Sequence, residues 1–285
     1  MSTEIDMLDR STAPTTREVA IPPCPSILTK LLRETRSDEP DFRRVGQLIG
    51  GDVALAAEIV KVANSSYYGL RTKASSVQQA VTLLGLDEVT RRVTGLLLQQ
   101  AFSGAAGPGM ERYWKASMAT ALIAALVSRE TGHGASEICH TYALFQNCGM
   151  PVMLQTFPIY ADIFDGSALA YGDPILEIEE ERYATSHAKI GARFAQSWQL
   201  PEPLCLAIRH HHDLPASADV RAQARPETRV LVAVGLAAEQ IYCTATGGLC
   251  HDWAQANEWV FEELGLTSAI LAEAASRFKT LLVQT

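Results

Sequence analysis

Apolar residues along this chain return every three or four positions, and no stretch of strict alternation is bounded by turns, so the pattern predicts helices and no sheet. The clearest case is SHAKIGARFAQSWQLPEPLCLAIRHHHD, residues 186–213. Ser186 is placed to cap a helix on which Ile190, Phe194 and Trp198 form one stripe. Pro201 and Pro203 break that helix and open another, since a helix start does not need the missing N–H. On the second helix Leu204, Ala207, Ile208 and His211 share a face, which turns His211 inward. His212 is expected about 100° round and His210 on the far side. Two helices that aim histidines into one bundle have the makings of a metal site, if further ligands exist.

The flanking pattern is of the same kind. Residues 1–20 lack periodicity and read as a flexible tail. PPCP at 22–25 opens a helix to about Arg36 with Ile27, Leu31 and Leu32 inward. A short helix carrying Phe42, Val45, Leu48 and Ile49 ends at Gly50-Gly51. Asp52 caps the next, whose apolar set is Val53, Leu55, Ala56, Ile59, Val60 and Ala63. ANSSYYGL at 63–70 reads as a structural corner, with Asn64 and Gly69 turning the chain and Tyr67 and Tyr68 covering it; a ligand contact is the weaker alternative. Ser75-Ser76 starts a helix stopped by Gly85, and another runs from Leu86 to near Phe102. SGAAGPG at 103–109 is the expected boundary between two helical lobes.

In the second lobe a long helix is expected from Glu111 to Thr131 and another capped by Ser136. At 150–157 Pro151 and Pro158 leave helix and loop in competition. An acidic helix follows Asp173-Pro174, with Glu177, Glu179, Glu180 and Glu181 read as a solvated face. After the histidine stretch come a polar loop (216–227) and helices at 228–245, 252–264 and 267–283. The fold class is therefore all-α: about a dozen helices in a compact array of two lobes (21–105 and 106–215), with the helices of 216–285 packed on the same body.

Composition narrows the function. The 285 residues carry a net charge of −8, which disfavours a broad surface for nucleic acid or anionic membrane. There is no apolar N-terminal leader and no run long enough to span a bilayer, so a cytoplasmic protein is expected. Cys24, Cys139, Cys148, Cys205, Cys243 and Cys250 lack paired spacing and read as reduced, mostly buried hydrophobes.

PPCPSILTKLL, DVALAAEIVKVANSSYYGL and SVQQAVTLLGLDEV resemble the N-terminal lobe of HDOD domains, the HD-related output domains of bacterial signalling proteins. YWKASMATALIAALV, ALFQNCGM, SHAKIGARFAQSWQLP and AIRHHHDL resemble their C-terminal lobe, so the likeness covers about Ile21 to Leu214. It rests on Asn64, Tyr67, Tyr68, Gly69 and Gly85 as well as on the histidines. The resemblance implies an all-helical fold, kin to HD-type metal phosphohydrolases, with an HD-like second lobe and a regulatory role without established catalysis.

An HD-type hydrolase needs an early histidine, a His-Asp dyad and a later aspartate to hold one or two divalent ions. Aligned on the resemblance, these positions hold Ala116, then Gln146 and Asn147, then Ala238 or Glu239. Neutral amides are weak ligands, so the hydrolytic core is missing and neither catalysis, metal nor cofactor is expected. The surviving His187, His211 and His212, with Gln146 and Asn147, have three readings: packed core histidines, a pocket for a nucleotide or other anion, or a three-histidine zinc or iron site with a recruited Glu or Cys148. A literal His251-Asp252 pair lies outside the likeness, and Asp252 there suits a helix N-cap. The expected function is signal transduction by binding a partner protein or small ligand. The rival is a metal-dependent phosphohydrolase acting on nucleotides or cyclic dinucleotides.

Overall fold

Short polar residues cap the starts of several helices. In the computed structural model, which describes residues 19–65, 73–103, 108–162, 164, 175–248 and 250–283, every described element is helical. They fall into two units, residues 23–101 and residues 19–22 with 102–283. No described helix is long and apolar enough to cross a membrane.

The first unit contains α1 (Ser26–Thr35), α2 (Phe42–Gly50), α3 (Val53–Ala63), α4 (Val77–Leu84) and α5 (Leu86–Ala101). Asp52 caps α3 by accepting from Ala54 and Leu55 N–H, and Ser76 caps α4 by accepting from Gln79 N–H. Gly85, at φ +79°, turns α4 directly into α5, a conformation that side chains resist. Leu28, Leu31, Val45, Ile49, Leu55, Ile59, Val89 and Val93 are buried. Two expected core positions are not: Val53, the first residue of α3, is 84% exposed, and Phe42, the first of α2, is also exposed. Leu28 is buried where Ile27 and Leu32 were expected, a rotation of the α1 face by one position. Asn64 ends α3, and its amide both donates to Ala74 O (2.9 Å) and accepts from Ala74 N (2.7 Å). The rest of the expected corner, with Tyr67, Tyr68 and Gly69, lies outside the described residues.

Glu88 on α5 receives Arg91 at 2.8 Å and Arg92 at 2.7 Å. Burial alone pushes its carboxyl up, but hydrogen bonds and charge from the two guanidiniums outweigh it and hold the pKa at about 2 against an ordinary 4.5. A folded-state pKa below the unfolded value means stability that is full above about pH 4.5 and is lost as pH falls toward 2. Glu88→Gln should therefore cost up to about 2 kcal/mol near neutrality, discounted because the arginines are partly solvated. Urea midpoints of wild type and variant should converge on acidification; a gap that stays constant with pH would refute the pairing.

The second unit comprises α6 (Pro108–Thr131), α7 (Ser136–Phe145), α8 (Gly149–Thr156), a 3₁₀ turn (Pro158–Asp162), α9 (Ile175–Tyr183), α10 (His187–Ser197), α11 (Glu202–His210), α12 (Asp213–Ala216), α13 (Ala218–Gln223), α14 (Pro226–Thr246), α15 (His251–Leu264) and α16 (Ser268–Val283). α8 is helical despite Pro151 because the proline sits in its first turn, where the N–H has no intrahelical acceptor. Ser136 does not cap α7: Ala135 holds that position, and the Ser136 hydroxyl donates to Ala125 O at 3.3 Å. The expected loop at 216–227 contains α13, started by Ser217, whose hydroxyl accepts from Val220 N–H.

α14 forms the axis of this unit, burying Leu231, Val232, Val234, Leu236 and Ile241 among α6, α7, α11, α15 and α16. The predicted stripe Ile190, Phe194 and Trp198 is buried, Phe194 lies against Phe102, Phe145 and Trp198, and the Trp198 indole donates to Pro22 O at 3.0 Å. Backbones meet closely where α8 packs on α10. A Cβ at Gly149 would overlap the His187 carbonyl oxygen and lie 2.8 Å from Gly191 N.

Candidate functional site

The first turn of a helix has N–H groups to spare, and His187 uses its own for fixation. Ser186 caps α10 by accepting from Lys189 N–H, leaving His187 as the first helical residue. Its backbone N–H donates to Glu179 Oε2 at 2.8 Å, and its ring Nδ1 reaches the same oxygen at 2.8 Å and Oε1 at 3.0 Å. The Tyr160 hydroxyl donates to Oε1 at 2.6 Å. Glu179 and His187 are both fully buried. Burial pushes the Glu179 carboxyl up, but His187 and the hydrogen bonds from His187 and Tyr160 bring it below its ordinary value, so it stands as the anion. Glu179 therefore does not belong to a solvated acidic face: it alone of the four glutamates on α9 points inward.

The other two histidines come from the end of α11. That helix stops at His210, so His211 and His212 sit in a turn, and the 100° separation expected of a continuing helix does not apply. His211 Nδ1 is 2.7 Å from Ile208 O, and His212 Nδ1 is 2.6 Å from Asp252 Oδ2. His210 faces away to Asp213, at 2.8 Å. Carbonyl and carboxylate oxygens only accept, so each of the three Nδ1 atoms carries a hydrogen, which leaves the three Nε2 atoms to face one another. The Nε2 atoms converge: His187 to His211 is 3.4 Å and His187 to His212 is 3.1 Å. Burial, reinforced by the two neighbouring rings, pushes the His211 pKa well down and keeps it neutral.

Beside this cluster lies a second arrangement. Gln146 and Asn147, both buried, hydrogen-bond Glu239 from the neighbouring α14. Desolvation, with Cys250 and Asp252 nearby, pushes the Glu239 carboxyl well above its ordinary value despite the two amides. Gly235 makes room here, since a Cβ would strike Tyr142 and the Gln146 amide. Ala116 is buried on α6. The five proposed pocket residues thus divide: three imidazoles meet one another, and the two amides meet Glu239. Cys148 is spent on the Gly191 carbonyl, 3.6 Å away. Asp252 does not cap α15, whose N-cap is Cys250; its carboxylate holds His212. The side chain of His251 is outside the described set.

Sequence reasoning missed Glu179, Tyr160 and the true task of Asp252. Glu179 stands eight residues before His187, across a turn tightened by Ala184 at φ +52°. The polar-face rule for acidic helices hides such a residue.

The HDOD domain family profile matches residues 21–214, about two thirds of the chain. The chain belongs to the HDOD family. Among solved HDOD structures, a protein of unknown function from Geobacter sulfurreducens aligns with TM-score 0.70 and 22% identity over 95% of this chain and 94% of the other. A Shewanella amazonensis protein described as a candidate phosphohydrolase aligns with TM-score 0.68 and 19% identity over 95% of each. At such identities these likenesses establish the shared all-α fold. An uncharacterized protein of Treponema pallidum (strain Nichols) is 29% identical over 203 residues, 68% of this chain but 38% of that relative's length.

Proposed function

We propose that this HDOD protein is a non-catalytic regulator of a bacterial signalling pathway, cytoplasmic, acting by binding a partner protein or a small anionic ligand such as a nucleotide. One observation carries the reading. Where a hydrolase of the HD type needs a histidine and an anionic aspartate, Gln146 and Asn147 are buried and committed to Glu239, whose own carboxyl is pushed toward its neutral form. A divalent pair would find no bridging carboxylate there. Protein binding is further supported by Met118, Leu122 and Leu126, which leave an apolar stripe about two-fifths exposed along α6.

The rival, a phosphohydrolase on nucleotides or cyclic dinucleotides, draws support from the three converging imidazoles. Incubation of the full chain with manganese and a panel of mononucleotides and cyclic dinucleotides separates the two. The expected result is no product above a protein-free blank, with any ligand detected as a rise in melting temperature. Manganese-dependent turnover that disappears in the His187→Ala, His211→Ala double variant would replace this reading with the hydrolase.

A further inference from the structure

We propose that His187, His211 and His212 bind one divalent transition-metal ion of the zinc class through their Nε2 atoms, with Glu179 and Asp252 as the outer acceptors that hold two of the rings. The inference goes beyond the regulatory reading and does not depend on it, because three imidazoles can hold an ion in a protein that hydrolyses nothing.

Lone pairs supply the first reason. With every Nδ1 hydrogen committed to an oxygen, three neutral imidazoles would aim three acceptors at one point with no donor between them. A single shared proton on His187 satisfies His212 at 3.1 Å or His211 at 3.4 Å, but not both. With that proton on His212, the His211 nitrogen is left without a protein donor in a ring only 5% exposed, beside the fully buried His187. A metal ion satisfies all three together.

Spacing supplies the second. Nitrogens about 2.0–2.1 Å from a tetrahedral zinc ion are about 3.3–3.4 Å apart along each edge, close to the separations from His187. The ligand atoms of the three histidines all lie within 4.8 Å of one another, and among the described residues the group contains no Cys, Asp or Glu. Neutral nitrogen donors suit zinc, cobalt or iron and not magnesium or calcium.

Charge supplies the third. The buried Glu179 carboxylate has no arginine or lysine partner among the described residues, and neither has Asp252; histidine faces both. A dication held by those rings would offset the two carboxylates. Carboxylate–histidine–metal relays of this form orient the ring and raise its basicity. On the solvent side of the cluster the His212 side chain is 17% exposed and borders a cavity of about 380 Å³ also lined by Lys189, Arg209 and Asp213. A fourth ligand, water or an anion, would reach a bound ion from that side.

The test uses the full chain, purified without an affinity tag, stripped with a chelator and titrated with cobalt(II) and then zinc(II). Metal per chain is measured after gel filtration, together with the cobalt ligand-field absorption. One equivalent is expected, with an absorption band of nitrogen coordination that zinc abolishes. His211→Ala and His212→Ala should each weaken binding by about 100-fold or more. Glu179→Gln, acting through His187, should weaken it about 10–100-fold. His210→Ala, whose ring turns away to Asp213, should leave it unchanged. Should the histidine variants fail to fold, as circular dichroism would reveal, the wild-type cobalt spectrum decides. Wild-type protein with a native spectrum that takes up less than about a tenth of an equivalent at micromolar metal, or folded histidine variants that bind like wild type, would overturn the proposal.

Discussion

Gly149→Ala should unfold or nearly unfold the second unit, at a cost of about 3–5 kcal/mol. The added methyl would overlap the His187 carbonyl oxygen and crowd Gly191 N at 2.8 Å, both backbone atoms of α10. Side chains relieve such overlap by rotating, but two helix backbones relieve it only by separating. Separation would pull His187 away from Glu179 and from the other imidazoles, so any residual folded protein should also lose the site geometry. Gly50→Ala, where a Cβ meets nothing within 4 Å, is the internal control and should change stability by less than about 0.5 kcal/mol. Urea denaturation of the three proteins measures the difference. Equal midpoints for Gly149→Ala and wild type would mean that α8 and α10 are not in backbone contact.

The second large effect is expected at Glu179. Truncation to alanine removes the acceptor of the His187 backbone N–H, the His187 ring N–H and the Tyr160 hydroxyl at one stroke. Three buried donors without partners should cost about 3–5 kcal/mol, far beyond the usual loss for one hydrogen bond. Tyr160→Phe, which removes a single donor and leaves the carboxylate two others, should cost about 1–1.5 kcal/mol. The double variant should cost less than the sum, because the orphaned hydroxyl is removed with its acceptor. Strict additivity would show that Tyr160 and Glu179 do not interact in solution.

Much of this architecture is legible in the chain. Asp52, Ser76 and Ser186 are short polar residues ahead of apolar periodicity, and each accepts a backbone N–H from the helix it opens. Ile190, Phe194 and Trp198 advertise a buried face by spacing alone. The losses occur where periodicity carries no information. Val53 and Phe42 stand at helix starts, where apolar character does not say which side faces the core. His212 turns inward because α11 ends two residues earlier, and a helical wheel cannot foresee its own termination. Glu179 was hidden among three solvated neighbours, and Asp252 resembled a cap because caps and ring acceptors use the same side chain. A site assembled from α9, α10, α11 and α15 is a tertiary fact. No local window contains it.

The bond from His212 to Asp252 bears on where the folded body of this chain ends. The segment that matches the family ends at residue 214, yet the acceptor of His212 lies 38 residues beyond it. The axis helix α14, with its buried Leu231, Val232 and Val234, also lies past that border. A segment cut at residue 214 and grafted onto another protein would arrive with an imidazole unheld and an apolar face unroofed. In this chain the packed body is longer than the segment that matches the family, and a truncation at that border would have to supply a substitute wall.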